Sequence, residues 1–491
     1  MRLFTIGDSV SQGFMSLAAA RPAGTYSTLI ANALKIDSYQ VPEWPAGGIP
    51  ANLERVMRAL DRFGANVGGP FEWSSALARI NGVLDEAEDD YERGDGKLGM
   101  PDPSGVGSWP NFAYYGMDVA DAWLVTPRVC QEVIEGSRAA TKDNWPFGTA
   151  SDAFYRSAYR MLNPKGYKKY LDYSAIQWLS EHAEREGVEN TIIWLGPNNA
   201  LGTVLRLKVK QTPGHDGRQP HEMSHLERKG AGWNLWHPDD FDAEYESLIV
   251  QVNKALEGNQ IEDDRVFVGT VPYVTIIPLA KGVGEQTYAE GFGWYFKYYV
   301  YFPFEEADVK NGVPHLTLAE AMLIDRSIEQ YNIAIRKLVG EANAALGRER
   351  YHIVDTNKAL TQLAWKRNGG LPTYDLPKRL AFRHPQVNTK YYHANRNGEL
   401  RQGGIFSLDG VHPTEIGHSL IAREFLKKMH EVGVTKSDGS PIDADTDLPW
   451  DEIVRSDTLY RTPIRQMTEI YENRKLLEFV LKCLGTFEGR T

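Results

Sequence analysis

The chain of 491 residues carries 54 Lys and Arg against 65 Asp and Glu, a formal net charge of −11, with 42% hydrophobic and 24% charged residues. That is a globular composition with material for a large core, and the acidic balance argues against nucleic acid or an anionic membrane as main partner, since both select clustered Lys and Arg. Two cysteines, Cys130 and Cys483, are too few for a disulfide scaffold and fit a reducing compartment.

No basic segment leads an apolar one at the N-terminus, and no apolar run nears the roughly 18 residues of a membrane span. The expectation is a cytoplasmic protein without a transmembrane segment. In chain order, "RLFTIG" (2–7) reads as a buried strand that stops at Gly7-Asp8-Ser9, and 24–34 as the first covering helix. A further strand comes from "SYQVPEW" (38–44), "NFAYYG" (111–116), or both. Residues 51–110 look mainly helical and then loop-rich. "NTIIWLG" (190–196), "RVFVGTV" (265–271) and "YHIVDT" (351–356) are the remaining strands. Between them lie a Gly-rich basic stretch (203–240) and an aromatic one (280–318). The last covering helix spans 414–430, with Ile416, Leu420, Ile421, Phe425 and Met429 on one face. A polar, Asp-rich linker and a helix over "IRQMTEIYENRKLLEFVLKCL" follow.

Apolar runs alternating with helical patterns predict an α/β fold, a parallel sheet of about five strands covered by helices. Continuous rather than alternating hydrophobicity suits strands buried on both faces. The expected organisation is one domain over 1–430, with insertions at about 51–110, 203–240 and 280–318, and a C-terminal extension over 431–491.

Acyl transfer needs a hydroxyl, an imidazole to take its proton and a carboxylate to orient the imidazole. "FSLDGVHPTEIGHS" places Asp409 and His412 in one loop before the last helix, with Pro413 and Thr414 fixing where that helix begins. Ser9 ends the first strand. "WLGPNNALG" puts Asn198 after a buried strand, where a side-chain amide can donate to an oxyanion. Singly, each residue reads more readily as a turn or cap residue than as a catalytic one.

Together, Gly-Asp-Ser, Gly-Pro-Asn-Asn and Asp-Gly-Val-His, in this order, resemble the SGNH hydrolase superfamily, the GDSL esterases and lipases. The resemblance implies a flavodoxin-like three-layer α/β/α sandwich with the catalytic blocks at the carboxyl edge of the sheet. It implies Ser9 as nucleophile and oxyanion-hole N–H, His412 as general base, Asp409 as its partner and Asn198 as oxyanion donor. A glycine N–H completes the hole: Gly116 in "NFAYYGMDVADAW", or alternatively Gly47 or Gly48 in "WPAGGIPANLERV". Asn199 stands where the family's third block ends in Asp. The implied activity is carboxylic ester hydrolysis on a small-molecule, lipid or carbohydrate ester, without metal or cofactor; a carbohydrate deacetylase or acyltransferase is the alternative on the same scaffold.

Two rival readings come from other classes. A non-catalytic binding module would keep these residues for structure alone. "HEMSH" (221–225) matches the zinc-protease pattern, with His215, Asp216 and His237 nearby, but its Pro- and Gly-rich setting predicts a loop or a single helical turn with surface histidines. The aromatic run 291–304 fits either a packing seam or a subsite wall.

Overall fold

Stretches that are apolar along their whole length become the central strands. In the computed structural model, which describes residues 1–19, 21–61, 70–94, 107–137 and 149–465, the strands in chain order are β1 (Leu3–Gly7), β2 (Asn111–Ala113), β3 (Asn190–Trp194), β4 (Arg265–Gly269), β5 (Ala280–Ala289), β6 (Gly293–Tyr301), β7 (His315–Thr317) and β8 (Tyr351–Val354). Five of them form one parallel sheet in the order β8-β4-β3-β1-β2. Every residue of β1 and β3 is buried.

The helices that position the site are α1 (Ser9–Gln12), α2 (Tyr26–Ala33), α3 (Leu53–Asp61), α4 (Ala175–Glu186), α5 (Asn198–Arg206), α6 (His225–Ala231), α7 (Pro238–Ala255), α8 (Leu318–Leu346), α9 (Thr356–Leu363), α10 (Glu415–Glu431), α11 (Trp450–Ser456) and α12 (Thr458–Arg461). Helices α2 and α10 pack together, and α7 packs on both α4 and α8. The result is a three-layer α/β/α sandwich. Tyr26 of α2 stacks on Phe425 of α10 at 5.2 Å and meets Trp194 of β3 edge-on at 5.5 Å.

The strand order is that of a doubly wound sheet whose direction of growth reverses beside β1. After β1 the chain crosses to β2 on one side, then returns to β3 on the other, so the carboxyl ends of β1 and β3 flank the crevice where such sheets bind ligands. The register keeps those ends level: Gly7 pairs with both Ala113 and Trp194.

Several sequence expectations take definite form. The additional strand is 111–113 alone. Residues 38–44 form no strand; Pro42 within them and Pro45 just after lack the N–H a central strand must donate. The segment 280–318 is an antiparallel three-stranded sheet, β5-β6-β7, with Tyr295 and Tyr299 buried and Tyr288 exposed. Residues 432–449 are no free linker: Val434, Ile442, Leu448 and, at the start of α11, Trp450 enter the common core. The aspartates that suggested a linker instead close local turns, Asp443 accepting from the Asp445 and Thr446 N–H groups and Asp438 from Ser440. Cys130 is buried and free. Cys483 and the expected final helix, beyond its first two residues, lie outside the described residues.

Candidate active site

The turn after β1 follows from three small residues. A Cβ on Gly7 would lie 2.0 Å from Ser11 Oγ, so only glycine lets α1 fold back over the strand end. Asp8 caps α1 by accepting from the Val10 N–H at 3.0 Å. Ser9 is thereby the first helical residue, and it is only 4% exposed. Burial pushes the Asp8 carboxyl up to about 6, against the Val10 N–H and the facing His412.

Although 403 residues separate them, His412 Nε2 lies 2.9 Å from Ser9 Oγ. His412 Nδ1 lies 2.9 Å from Asp409 Oδ2. Asp409 Oδ1 accepts from the Val411 and His412 N–H groups, at 2.9 Å each, and from Ser407 Oγ. Its Oδ2 accepts from the Leu17 N–H at 3.0 Å. Complete burial would raise this carboxyl, but His412 and these donors outweigh it and hold Asp409 below the usual carboxylate range. Ser16 and Leu17 both have positive φ, 50° and 67°, a strained pair that aims the Leu17 N–H at Asp409 and the Ser16 N–H at Ser407 Oγ. The Phe14 ring lies 4.6 Å from the His412 ring, centroid to centroid.

The other expected residues meet at the same edge. Gly116 follows β2 with φ 77°, a conformation that favours glycine, and its Cα faces the Phe154 ring. Gln12 of α1 ties this segment down, accepting from the Tyr115 N–H at 2.8 Å while donating to Ser157 Oγ. Asn198, opening α5 after β3, donates from Nδ2 to the Met117 carbonyl at 2.9 Å and makes a longer 3.4 Å contact to Asp8 Oδ2. The amide that the sequence suggested would be free to donate is therefore half committed to holding the Gly116 segment. Gly47 and Gly48 occupy a turn that follows no sheet strand, with the Gly48 N–H donating to Pro45.

A buried ionic cluster supports that edge, and sequence reasoning missed it. Asn199 accepts from the Val119 N–H and donates to Glu244, which also accepts from the Ala120 N–H, Arg228 and Trp236 Nε1. Arg228 pairs with Asp118 at 2.8 Å and Glu244 at 2.9 Å, all three buried. Burial pushes Asp118 up despite Arg228, whereas Lys229 and His225 overcome burial and hold Asp121 below the usual range. The signal in the sequence was Asn199 itself: its neutral amide sits against a carboxylate supplied by Glu244, where a second acid would repel.

The "HEMSH" histidines do not share a helix. His221 belongs to the turn Pro220–Glu222, while His225 begins α6 after Ser224, whose capping box with Glu227 starts that helix. His225 is buried between Asp121, 2.7 Å from Nδ1, and the Tyr155 hydroxyl. His215 and His237 both lie against Asp239. Among the described residues no three His, Cys, Asp or Glu side chains are grouped to hold a metal, and no helix is long and apolar enough to cross a membrane. No protein-family model matches this chain, and no curated protein matches it.

Proposed function

We propose that the chain is a serine hydrolase of carboxylic esters, of the SGNH kind, working through an acyl-enzyme. The observation that carries this reading is the unbroken hydrogen-bonded series Ser9–His412–Asp409 at the switch point of the sheet. His412 Nε2 takes the Ser9 Oγ proton as Oγ bonds to the acyl carbon. The resulting oxyanion is met by the Ser9 and Gly116 N–H groups and by the Asn198 hydrogen that now makes only the long contact to Asp8. The tetrahedral adduct expels the alcohol, which leaves with the proton from His412. Water then gives a proton to the same nitrogen and attacks the acyl-enzyme, releasing the carboxylic acid and restoring the Ser9 hydroxyl. Asp409 stays ionised throughout and holds the imidazole tautomer.

The test is turnover of a p-nitrophenyl ester by wild type and Ser9→Ala, with fluorophosphonate labelling of Ser9. The variant should lose at least about 1000-fold in kcat. Equal turnover by the two proteins would end the proposal, and a wild type that neither turns over nor labels would leave a binding module as the better description.

A further inference from the structure

Beside Ser9 and His412 lies a cavity of about 110 Å³, walled by the segment after β4, by α9 and by α10. Val274, Ile277, Ala359, Leu360, Leu420 and Ile421 form its apolar lining. The polar side chains that reach it away from the triad are already engaged. Trp194 Nε1 donates to Thr270 O and Tyr273 OH to Glu329, Thr356 Oγ1 also bonds Thr270 O, and Glu424, itself on the wall, accepts from Tyr374 OH and Lys427 Nζ. A sugar hydroxyl entering here would exchange water for hydrocarbon. An alkyl chain would gain.

We propose, resting on the ester-hydrolase reading, that this cavity receives the acyl chain of the substrate, a straight chain of about four to six carbons. An apolar cavity of about 150 Å³ accommodates benzene, which scales 110 Å³ to some four or five carbons beyond the carbonyl. The acyl side is assigned by exchange. The alcohol must leave past His412 and be replaced by water, for which this apolar lining offers few hydrogen bonds, whereas the acyl group stays on Ser9 between the two steps. An acetyl-specific deacetylase would leave this space unfilled.

The experiment compares p-nitrophenyl acetate, butanoate, hexanoate, octanoate and decanoate, together with ethyl hexanoate against hexyl acetate. Wild-type kcat/KM should rise roughly fourfold per methylene up to butanoate or hexanoate and decline by decanoate. Ethyl hexanoate should exceed hexyl acetate. Ala359→Phe, and separately Leu360→Trp, should lower the hexanoate-to-acetate ratio at least about tenfold. A profile that is flat or highest on acetate, preference for hexyl acetate, or an unchanged ratio in both variants would overturn the assignment while leaving the triad intact. Should either variant fail to fold, the wild-type profile decides. Absence of both ester turnover and fluorophosphonate labelling would instead remove the catalytic reading, and the acyl assignment with it.

Discussion

Glu244→Gln tests whether the buried ionic cluster holds the oxyanion edge in place. The wild-type carboxylate accepts on one oxygen from the Ala120 N–H at 3.0 Å, Asn199 Nδ2 at 3.1 Å and Arg228 at 3.2 Å. On the other it accepts from Arg228 and Trp236 Nε1, at 2.9 Å each. Glutamine keeps the shape but turns one of those acceptors into a donor that faces donors. Whichever way the amide settles, two buried donors are left unmet, at about 1–3 kcal/mol each. Arg228, with its side chain 1% exposed, retains Asp118 as its ion-pair partner. The expected loss is about 3–5 kcal/mol of unfolding free energy, read from urea denaturation followed by tryptophan fluorescence. Because Asn199 adjoins Asn198 and Ala120 ends the turn that follows Gly116, the two proposed oxyanion donors, kcat should also fall about 10- to 100-fold with little change in KM, the pattern of an interaction made in the transition state. Adding Arg228→Met should cost less than the two single changes summed, by at least about 1 kcal/mol, since the orphaned cation is then gone. A loss below about 1 kcal/mol for Glu244→Gln, or strict additivity in the double variant, would refute the argument.

Asn198→Ala should reduce kcat about 100- to 1000-fold on a p-nitrophenyl ester while KM stays within a few-fold; a change confined to KM would place Asn198 outside the oxyanion site. Asp409→Asn should lower kcat by roughly 10⁴, the scale seen when a triad carboxylate is neutralised and the imidazole takes the wrong tautomer. Because Asp409 is held below the usual carboxylate range, it stays charged at mildly acid pH, whereas Asp8, raised to about 6, takes up its proton there; the acid limb of the rate profile should therefore become shallower in Asp8→Asn, and an unchanged limb would contradict this. For stability the same depression has a definite sign: the contribution of Asp409 is complete above the unfolded carboxylate pKa and is lost as pH falls through its lower folded value. Asp457 behaves oppositely. Burial raises it to about 6, so the folded state holds its proton longer and a penalty accumulates as pH climbs from about 4 to about 6. Asp457→Asn lacks that penalty, and its stability relative to wild type should improve by about 1 kcal/mol between pH 5 and pH 7 in urea titrations; an unchanged difference would show that Asp457 does not titrate there.

Local chemistry was legible in the sequence, and long-range chemistry only where the order of the motifs joined Ser9 to His412. The strands at 3–7, 190–194 and 265–269 announce themselves because burial on both faces demands unbroken apolar runs. Asp409 and His412 could be paired on paper because one loop holds both. By contrast, 38–44 and 111–116 are both short and aromatic-rich, and Pro42 and Pro45 weigh against the first as a central strand. The hairpin β5-β6 hid its period of two because residues on both faces of β6 are aromatic: Tyr295 and Tyr299 inward, Trp294, Phe296 and Tyr298 less buried. Asp118, Arg228 and Glu244 carry charges that, taken singly, read as solvated surface. Their burial becomes visible only when β2, α6 and α7 converge on Asn199. The C-terminal extension was likewise misleading: Asp457 in fact accepts from the Ile416 N–H in the first turn of α10, four residues after His412.

The distance along the chain between Ser9 and His412 has a consequence for the timing of synthesis. A ribosome adding about 5–20 residues per second needs roughly 20 to 80 s to travel from one to the other, the interval being 403 residues. Throughout that time the emerging polypeptide bears a serine that is chemically an ordinary alcohol, with no base to sharpen it. On the proposed reading, premature termination anywhere ahead of His412 yields a fragment without the base, so reactivity arrives late and all at once.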